Sequence, residues 1–278
     1  MLGQHPELAG LPELKLFCYR TVGELEASLP RFWSESKGVA HRSPGLVRAL
    51  AQFEFGDQQL GSLELAQAWL RDRSDWTGAS VFDFLMERLG QRAAVEKSPE
   101  NVLTDEALER LSSAYPRARY LHLTRHPVGT QRSMQEHWNR IMPRPLDGQP
   151  MSGMASWFDV HRRIVRFADT LPAARYLRVR AEDILNDTDP QLDVIIRWLG
   201  LCREAAAMEA MKHPEQSPFA SFGPAGSGIT GGHDPSFLRE PKPRRVEIHG
   251  TVEQPPGWTG NPALWESVVA LAAQFGYP

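Results

Sequence analysis

Apolar positions along the chain recur with two different periods. From Val22 to about Arg92 they fall at helical spacing: Leu25 and Leu29, then Leu63, Ala66 and Leu70, then Val81, Phe84, Leu85 and Leu89. This pattern predicts a helical layer or cap. Beyond it, short apolar runs alternate with longer amphipathic stretches. Ala93–Lys97, Tyr120–Thr124 and Arg175–Arg180 read as strands. Helices are expected from about Thr104, with Leu108 and Leu111 inward, from Gly153 to Leu171, from Asp189-Pro190 to a stop at Leu199-Gly200, and from Pro262 to Phe275. The first two strands with the helix between them predict a right-handed βαβ unit over residues 93–124. Ahead of these elements, MLGQ reads as the last turn of a helix, HPELAG as a turn, and Pro12-Glu13-Leu14 as the start of a new element. The alternation predicts an α/β fold, three layers built on a mainly parallel sheet flanked by helices.

The chain leaves the Tyr120–Thr124 run through Arg125 and meets His126-Pro127 at once. Proline suits the first position of a helix, because its missing N–H has no partner there in any case. Arg125 therefore sits at the carboxyl end of a strand, with Ser133 about two turns into the next helix. Ligands of open α/β sheets bind at that end, where a helix N-terminus offers N–H groups and a positive dipole end to an anion. An arginine and a hydroxyl placed so read as a phosphate clamp, or else as a surface ion pair and an ordinary helix residue. Lys97 ends its own strand in the same way, so two cations are expected to converge on one crevice.

Composition changes this picture little. The chain has 278 residues, 41% hydrophobic and 23% charged, enough for one substantial core with a helical subdomain. Two cysteines, Cys18 and Cys202, provide neither a disulfide framework nor metal spacing and suggest a reducing, cytoplasmic setting. No apolar segment is long enough for a membrane span, and the amino terminus lacks the pattern of a signal peptide. The net charge of −3 argues against nonspecific nucleic-acid binding, yet it hides a local excess. Arg117, Arg119, Arg125, Arg132, Arg140 and Arg144 face only Glu136 within their stretch, a field that suits a small anion better than a polymer. Phe53, Phe55, Trp69, Trp76 and Phe82 are candidates either for an acceptor pocket or for plain core.

The succession EKSPENVL, a helix, ARYLHLTRHPVGTQRSM, then YLRVRAEDILND and DPQLDVIIRWLGL resembles the sulfotransferases that use 3′-phosphoadenosine 5′-phosphosulfate (PAPS). The resemblance runs from Met1 to about Gly200. It implies a P-loop-like sulfotransferase fold, taken here as one domain over residues 1–278, with a helical cap over about 22–92 and a covering loop over about 214–250. It also implies PAPS as sulfuryl donor with no metal, and a nucleotide and an acceptor hydroxyl or amine as partners. By similarity, Arg125 and Ser133 would hold the 3′-phosphate, and Lys97, in Lys97-Ser98-Pro99, would touch the sulfuryl group or its bridging oxygen, the alternative for Lys97 being a structural ion pair with a carboxylate such as Glu96 or Glu100. A cation there stabilises charge that grows on the leaving phosphate. Glu13 stands where members carry the base for the acceptor proton, although a carboxylate near a helix start is also favoured by the dipole. His5, His41 and His137 have nothing to recommend them as bases. Gly231 and Gly232, within the run Gly223 to Gly232, and the basic stretch Arg239 to Arg245 resemble the mobile loop that closes over the adenosine end, with a plain disordered linker as the alternative.

Two departures stand out. The family's phosphate-cradling loop, of the form P-x-R-S-G-T-T, is absent, and the chain begins where the segment after it would start, so a fragment or an internal start is expected. Ala181 stands where many members have Tyr before Glu-Asp. The rival reading is a truncated, inactive protein that binds the nucleotide without turning it over. A P-loop kinase lacks support, since no G-x-x-x-x-G-K-[ST] run occurs.

Overall fold

The computed structural model describes residues 1–28, 43–141, 153–227, 229, 231–246, 250–254 and 261–278, without the side chains of 137–141. His41, Arg144 and the side chains of His137 and Arg140 lie outside the described residues. In chain order the strands are β1 (Leu8–Gly10), β2 (Ala93–Val95), β3 (Tyr120–Thr124) and β4 (Tyr176–Arg180). The helices are α1 (Val22–Ala27), α2 (Pro44–Glu54), α3 (Leu60–Arg71), α4 (Gly78–Arg88), α5 (Asp105–Ala114), α6 (Pro127–Ile141), α7 (Gly153–Ala168), α8 (Ala181–Asn186), α9 (Thr188–Leu199), α10 (Ala205–Ala210), α11 (Pro235–Arg239) and α12 (Pro262–Gln274). The result is an α/β fold of short parallel strands flanked by helices.

Two compact units divide the chain, Met1–Pro116 with Leu199–Pro243, and Arg117–Trp198 with Arg244–Pro278. In the first, β1 and β2 pair in parallel, with Leu8 opposite Ala93 and Gly10 opposite Val95. Strand β1 occupies part of HPELAG, where a turn was expected. Three residues give too short a run for alternation to register, and its partner lies more than eighty residues away. Helices α1 to α4 account for the cap pattern. They enclose a core in which Leu14, Leu46, Leu50, Ala66, Val81 and Leu85 are buried. Phe53, Phe55, Trp69, Trp76 and Phe82 belong to this core and pack on one another or their neighbours, Trp69 against Trp76 at 5.3 Å between ring centroids. Phe219 and Ile229, from the glycine- and proline-rich stretch, are buried in it too, so that stretch contributes to packing. Thr104 caps α5, its hydroxyl accepting from Ala107 N at 3.2 Å.

The second unit is built on β3 and β4, parallel and in register from Tyr120 opposite Tyr176 to Thr124 opposite Arg180. Met154 and Trp157 of α7 pack with Val268, Leu271 and Phe275 in its own core. Gly200, at φ 69°, ends α9 in the left-handed region as expected. Within its own unit, β2 takes its parallel partner from β1, earlier in the chain, and β3 from β4, later. Both pairs present the same helix-to-strand periodicity, so spacing along the chain did not distinguish the pairings.

Candidate functional site

Parallel pairing puts the ends of β1 and β2 at one edge, and the chain continues from each into candidate chemistry. Three residues beyond Gly10 stands Glu13, and two beyond Val95 stands Lys97. The Lys97 ammonium donates to Glu13 Oε1, forming an ion pair in which the lysine is exposed and the carboxylate largely covered. The expected base and the expected cation are thus neighbours. Strand β2 stops at Val95, so Glu96 and Lys97 lie past its end rather than inside it.

The backbone around Glu13 is held from three sides. Its N–H donates to Gly232 O at 2.8 Å, while the next carbonyl, Leu14 O, accepts from Ser43 Oγ at 2.9 Å. Gly45, in the first turn of α2, packs so closely that a Cβ there would lie 2.2 Å from Glu13 O. Gly232 has φ 111°, and a Cβ on it would stand 2.8 Å from Gly45 Cα. Only glycine fits at either place without movement. Gly231 O accepts from Arg48 at 2.9 Å, and Arg48 is itself buried among Gln58, Gly231 and the Phe219 ring. Burial lowers the Arg48 guanidinium to about 10. Gly231 and Gly232, expected to cover the nucleotide, hold the Arg48 guanidinium and the backbone of the candidate base.

From the other side, Glu96, Ser98 and Asn101 grip the residues after Glu13. Glu96 Oε1 accepts from Leu14 N at 3.2 Å and from the Ser98 hydroxyl, and Glu96 Oε2 from Asn101 Nδ2 at 3.0 Å. Ser98 Oγ accepts from Lys15 N at 2.9 Å. Lys15 adopts φ 59°, a left-handed conformation that costs a lysine about 1–2 kcal/mol. Its ammonium meets Glu100 at 2.6 Å. Where Pro12-Glu13-Leu14 was expected to open an element, the chain makes a tight irregular passage instead, because side chains of the 96–101 segment supply its hydrogen bonds. Burial raises Glu96 above the ordinary carboxylate value, against the pull of its donors. His233 is driven down to about 4 by burial, with Lys97 and Arg48 adding repulsion, so it is a neutral imidazole at pH 7.

The second unit carries Arg125 and Ser133. Arg125 follows the last residue of β3, its side chain exposed and, among the described residues, without a carboxylate partner. Ser133 lies on α6, half-buried, and its hydroxyl makes no hydrogen bond among the described residues. The start of α6 is another matter. His126 N donates to Glu182 Oε1 at 2.8 Å, and Val128 N to His126 Nδ1 at 3.3 Å. A buried carboxylate thus holds the amide that precedes α6, at the favourable dipole end of the helix.

Sequence reading passed over Glu182, Trp157, Gly45 and the Glu96–Ser98–Asn101 set. A carboxylate 56 residues from the amide that it caps leaves no local signal. His5, Glu7 and Cys202 bring metal-ligating atoms within 4.8 Å of one another. Their hydrogen bonds already form a clip, with His5 Nε2 donating to Cys202 O at 2.9 Å, Glu7 N to His5 Nδ1 at 3.2 Å, and Cys202 N to Glu7 Oε1 at 2.8 Å. Both cysteines are free thiols, and burial pushes Cys18 up to about 12. No helix among the described residues is long and apolar enough to cross a membrane.

Against known proteins, the profile described as "Sulfotransferase family" matches residues 1–204. Among solved structures, the chain is similar over its whole length to the "Sulfotransferase Domain from the Curacin Biosynthetic Pathway", covering 91% of it at 20% identity and a TM-score of 0.73. It is likewise similar over its whole length to the "Sulfotransferase Domain from the Synechococcus PCC 7002 Olefin Synthase", covering 88% of that domain at 25% identity and a TM-score of 0.67. No curated protein matches.

Proposed function

The chain belongs to the sulfotransferase family, and on that premise we propose that it moves a sulfuryl group from PAPS to the hydroxyl or amine of an acceptor. The observation that carries this reading is the contact between Glu13 and Lys97 at the carboxyl ends of two paired parallel strands. A carboxylate and an ammonium side by side supply the two functions that sulfuryl transfer requires, a proton acceptor for the incoming group and a cation for the departing oxygen.

The nucleotide, when bound, supplies the sulfuryl group. Its 3′-phosphate finds fitting donors in Arg125, with five N–H groups and no carboxylate partner among the described residues, and in the Ser133 hydroxyl. In this reading Glu13 takes the acceptor proton at its carboxylate as the acceptor oxygen or nitrogen becomes nucleophilic. Lys97 then gives up its contact with Glu13 and places its ammonium where negative charge grows. Gly231 and Gly232 hold Glu13 in place and permit close backbone approach on the nucleotide side. His233, neutral beside them, adds no further positive charge to the proposed site.

The test is turnover. Release of 3′-phosphoadenosine 5′-phosphate from PAPS is followed with a panel of phenolic, aliphatic hydroxyl and amine acceptors. Acceptor-dependent release by the wild type that is lost in Glu13→Gln and Lys97→Ala supports the enzyme. Nucleotide binding with no release for any acceptor would favour an inactive nucleotide-binding protein.

A further inference from the structure

The turn that delivers Arg125 is anchored at three consecutive residues by side chains remote in sequence. Before it, Thr124 Oγ1 lies 3.2 Å from Tyr277 Oη, and both side chains are buried. At it, Arg125 O accepts from Trp157 Nε1 at 2.8 Å. After it, His126 N donates to Glu182 Oε1 at 2.8 Å. The first and third anchors are one unit, because Tyr277 Oη donates to Glu182 Oε2 at 2.9 Å. With the tyrosine proton spent on the carboxylate, the Thr124 hydroxyl is left to donate to Tyr277 Oη or to Val179 O, 3.3 Å away. The Tyr277 ring also stands edge-on to His126, with centroids 5.3 Å apart.

Glu182 is buried to 6% exposure and its two oxygens are divided between the turn and Tyr277. A buried carboxylate is costly unless it is fully hydrogen-bonded, so this placement has a strong geometric consequence. Movement of the 124–126 backbone breaks the buried bonds to Glu182 and Tyr277, where no solvent replaces them. The exposed Arg125 side chain therefore projects from a backbone with little freedom, which lowers the ordering cost of gripping an anion.

We propose that Glu182 and Tyr277 are positioning residues for recognition of the nucleotide's 3′-phosphate, acting through the Thr124–His126 turn on Arg125. This rests on the sulfotransferase reading given above. Neither residue is expected to touch the nucleotide. Their effect should appear in the discrimination between nucleotides with and without a 3′-phosphate, which a merely structural role would leave unmoved.

The experiment uses two probes on the whole chain. Calorimetry measures 3′-phosphoadenosine 5′-phosphate, and displacement of that nucleotide at millimolar concentration measures adenosine 5′-phosphate, which lacks the 3′-phosphate. Tyr277→Phe removes one hydroxyl and keeps the ring, so it is the variant least able to unfold the protein. It should weaken the 3′-phosphorylated nucleotide about fivefold, the worth of one hydrogen bond, and leave adenosine 5′-phosphate within about twofold of wild type. Glu182→Ala should weaken the former by about tenfold or more. Equal weakening of both probes in Tyr277→Phe, or no change in either, overturns the proposal. Failure of the underlying reading looks different: the wild type binds neither probe, or Arg125→Ala binds like wild type.

Discussion

In the proposed reaction Glu13 and Lys97 carry the chemistry, and their contact invites a simple objection. Surface ion pairs are common, and the median one contributes about 0–1 kcal/mol to stability. That small figure separates the two readings. If the pair is only structural, Lys97→Ala changes little of any kind. If it is catalytic, the unfolding midpoint stays within a few degrees while transfer falls by about 10²–10³-fold, the usual loss for a group stabilising transition-state charge. Glu13→Gln should lower the rate by about 10²–10⁴-fold with donor affinity retained, because an amide cannot take the acceptor proton. Thermal unfolding measured beside initial rates checks both. At this scale the sequence was partly legible. Lys97 and Arg125 could be placed at strand ends because each follows an apolar run, and Ser133 because Pro127 dates the helix start. Glu96 and Glu182 could not, since the amides that they hold belong to Leu14 and His126, far along the chain.

At the scale of elements, the candidate base depends on a close approach of backbones. The first turn of α2 passes over Glu13 at a distance that only Gly45 permits, and Gly232 fills the remaining space. Gly45→Ala would put a methyl group 2.2 Å from Glu13 O, so either α2 or Glu13 must move. Overpacking of this kind costs about 1–3 kcal/mol. The expected outcome is a lowered unfolding midpoint together with a loss of transfer larger than the loss of folded protein, measured by denaturation and by rates normalised to folded fraction. Elements with strong local signals were readable from sequence, among them β3, α5 behind its Thr104 cap, and α6 behind Pro127. Strand β1 was not, because its three residues carry no period and owe their conformation to β2. The same holds for the passage around Lys15, whose left-handed backbone is imposed by Ser98 and Glu96 rather than by any turn residue of its own.

For the molecule as a whole, acid should be destabilising through a buried pair of histidines. His122 Nε2 lies 2.7 Å from His161 Nδ1, and His122 Nδ1 2.6 Å from Tyr176 Oη. Burial lowers His122 to about 3, with repulsion from His161 and Arg178 adding to it, and lowers His161 to about 4. Unfolded, each takes up a proton near pH 6.5. Between about 6.5 and 4 the unfolded chain therefore binds more protons than the folded one, and stability must fall as pH falls through that window. Urea unfolding at pH 7, 6 and 5 should show a declining free energy, and His161→Gln should flatten that decline. A slope unchanged by the substitution would contradict the assignment. The family itself was legible at this scale, because the order of strand, arginine, serine and Glu-Asp-Ile-Leu is a pattern along the chain. Strand pairing was not, since β1 with β2 and β3 with β4 are contacts between distant segments.

The central claim is that this chain holds a nucleotide bearing a 3′-phosphate through Arg125. Calorimetric titration of the wild type and of Arg125→Ala with 3′-phosphoadenosine 5′-phosphate tests it most directly. Saturable one-to-one binding by the wild type, weakened by about tenfold or more in Arg125→Ala, is the predicted result. Absence of binding, or binding that survives loss of the guanidinium unchanged, would contradict it.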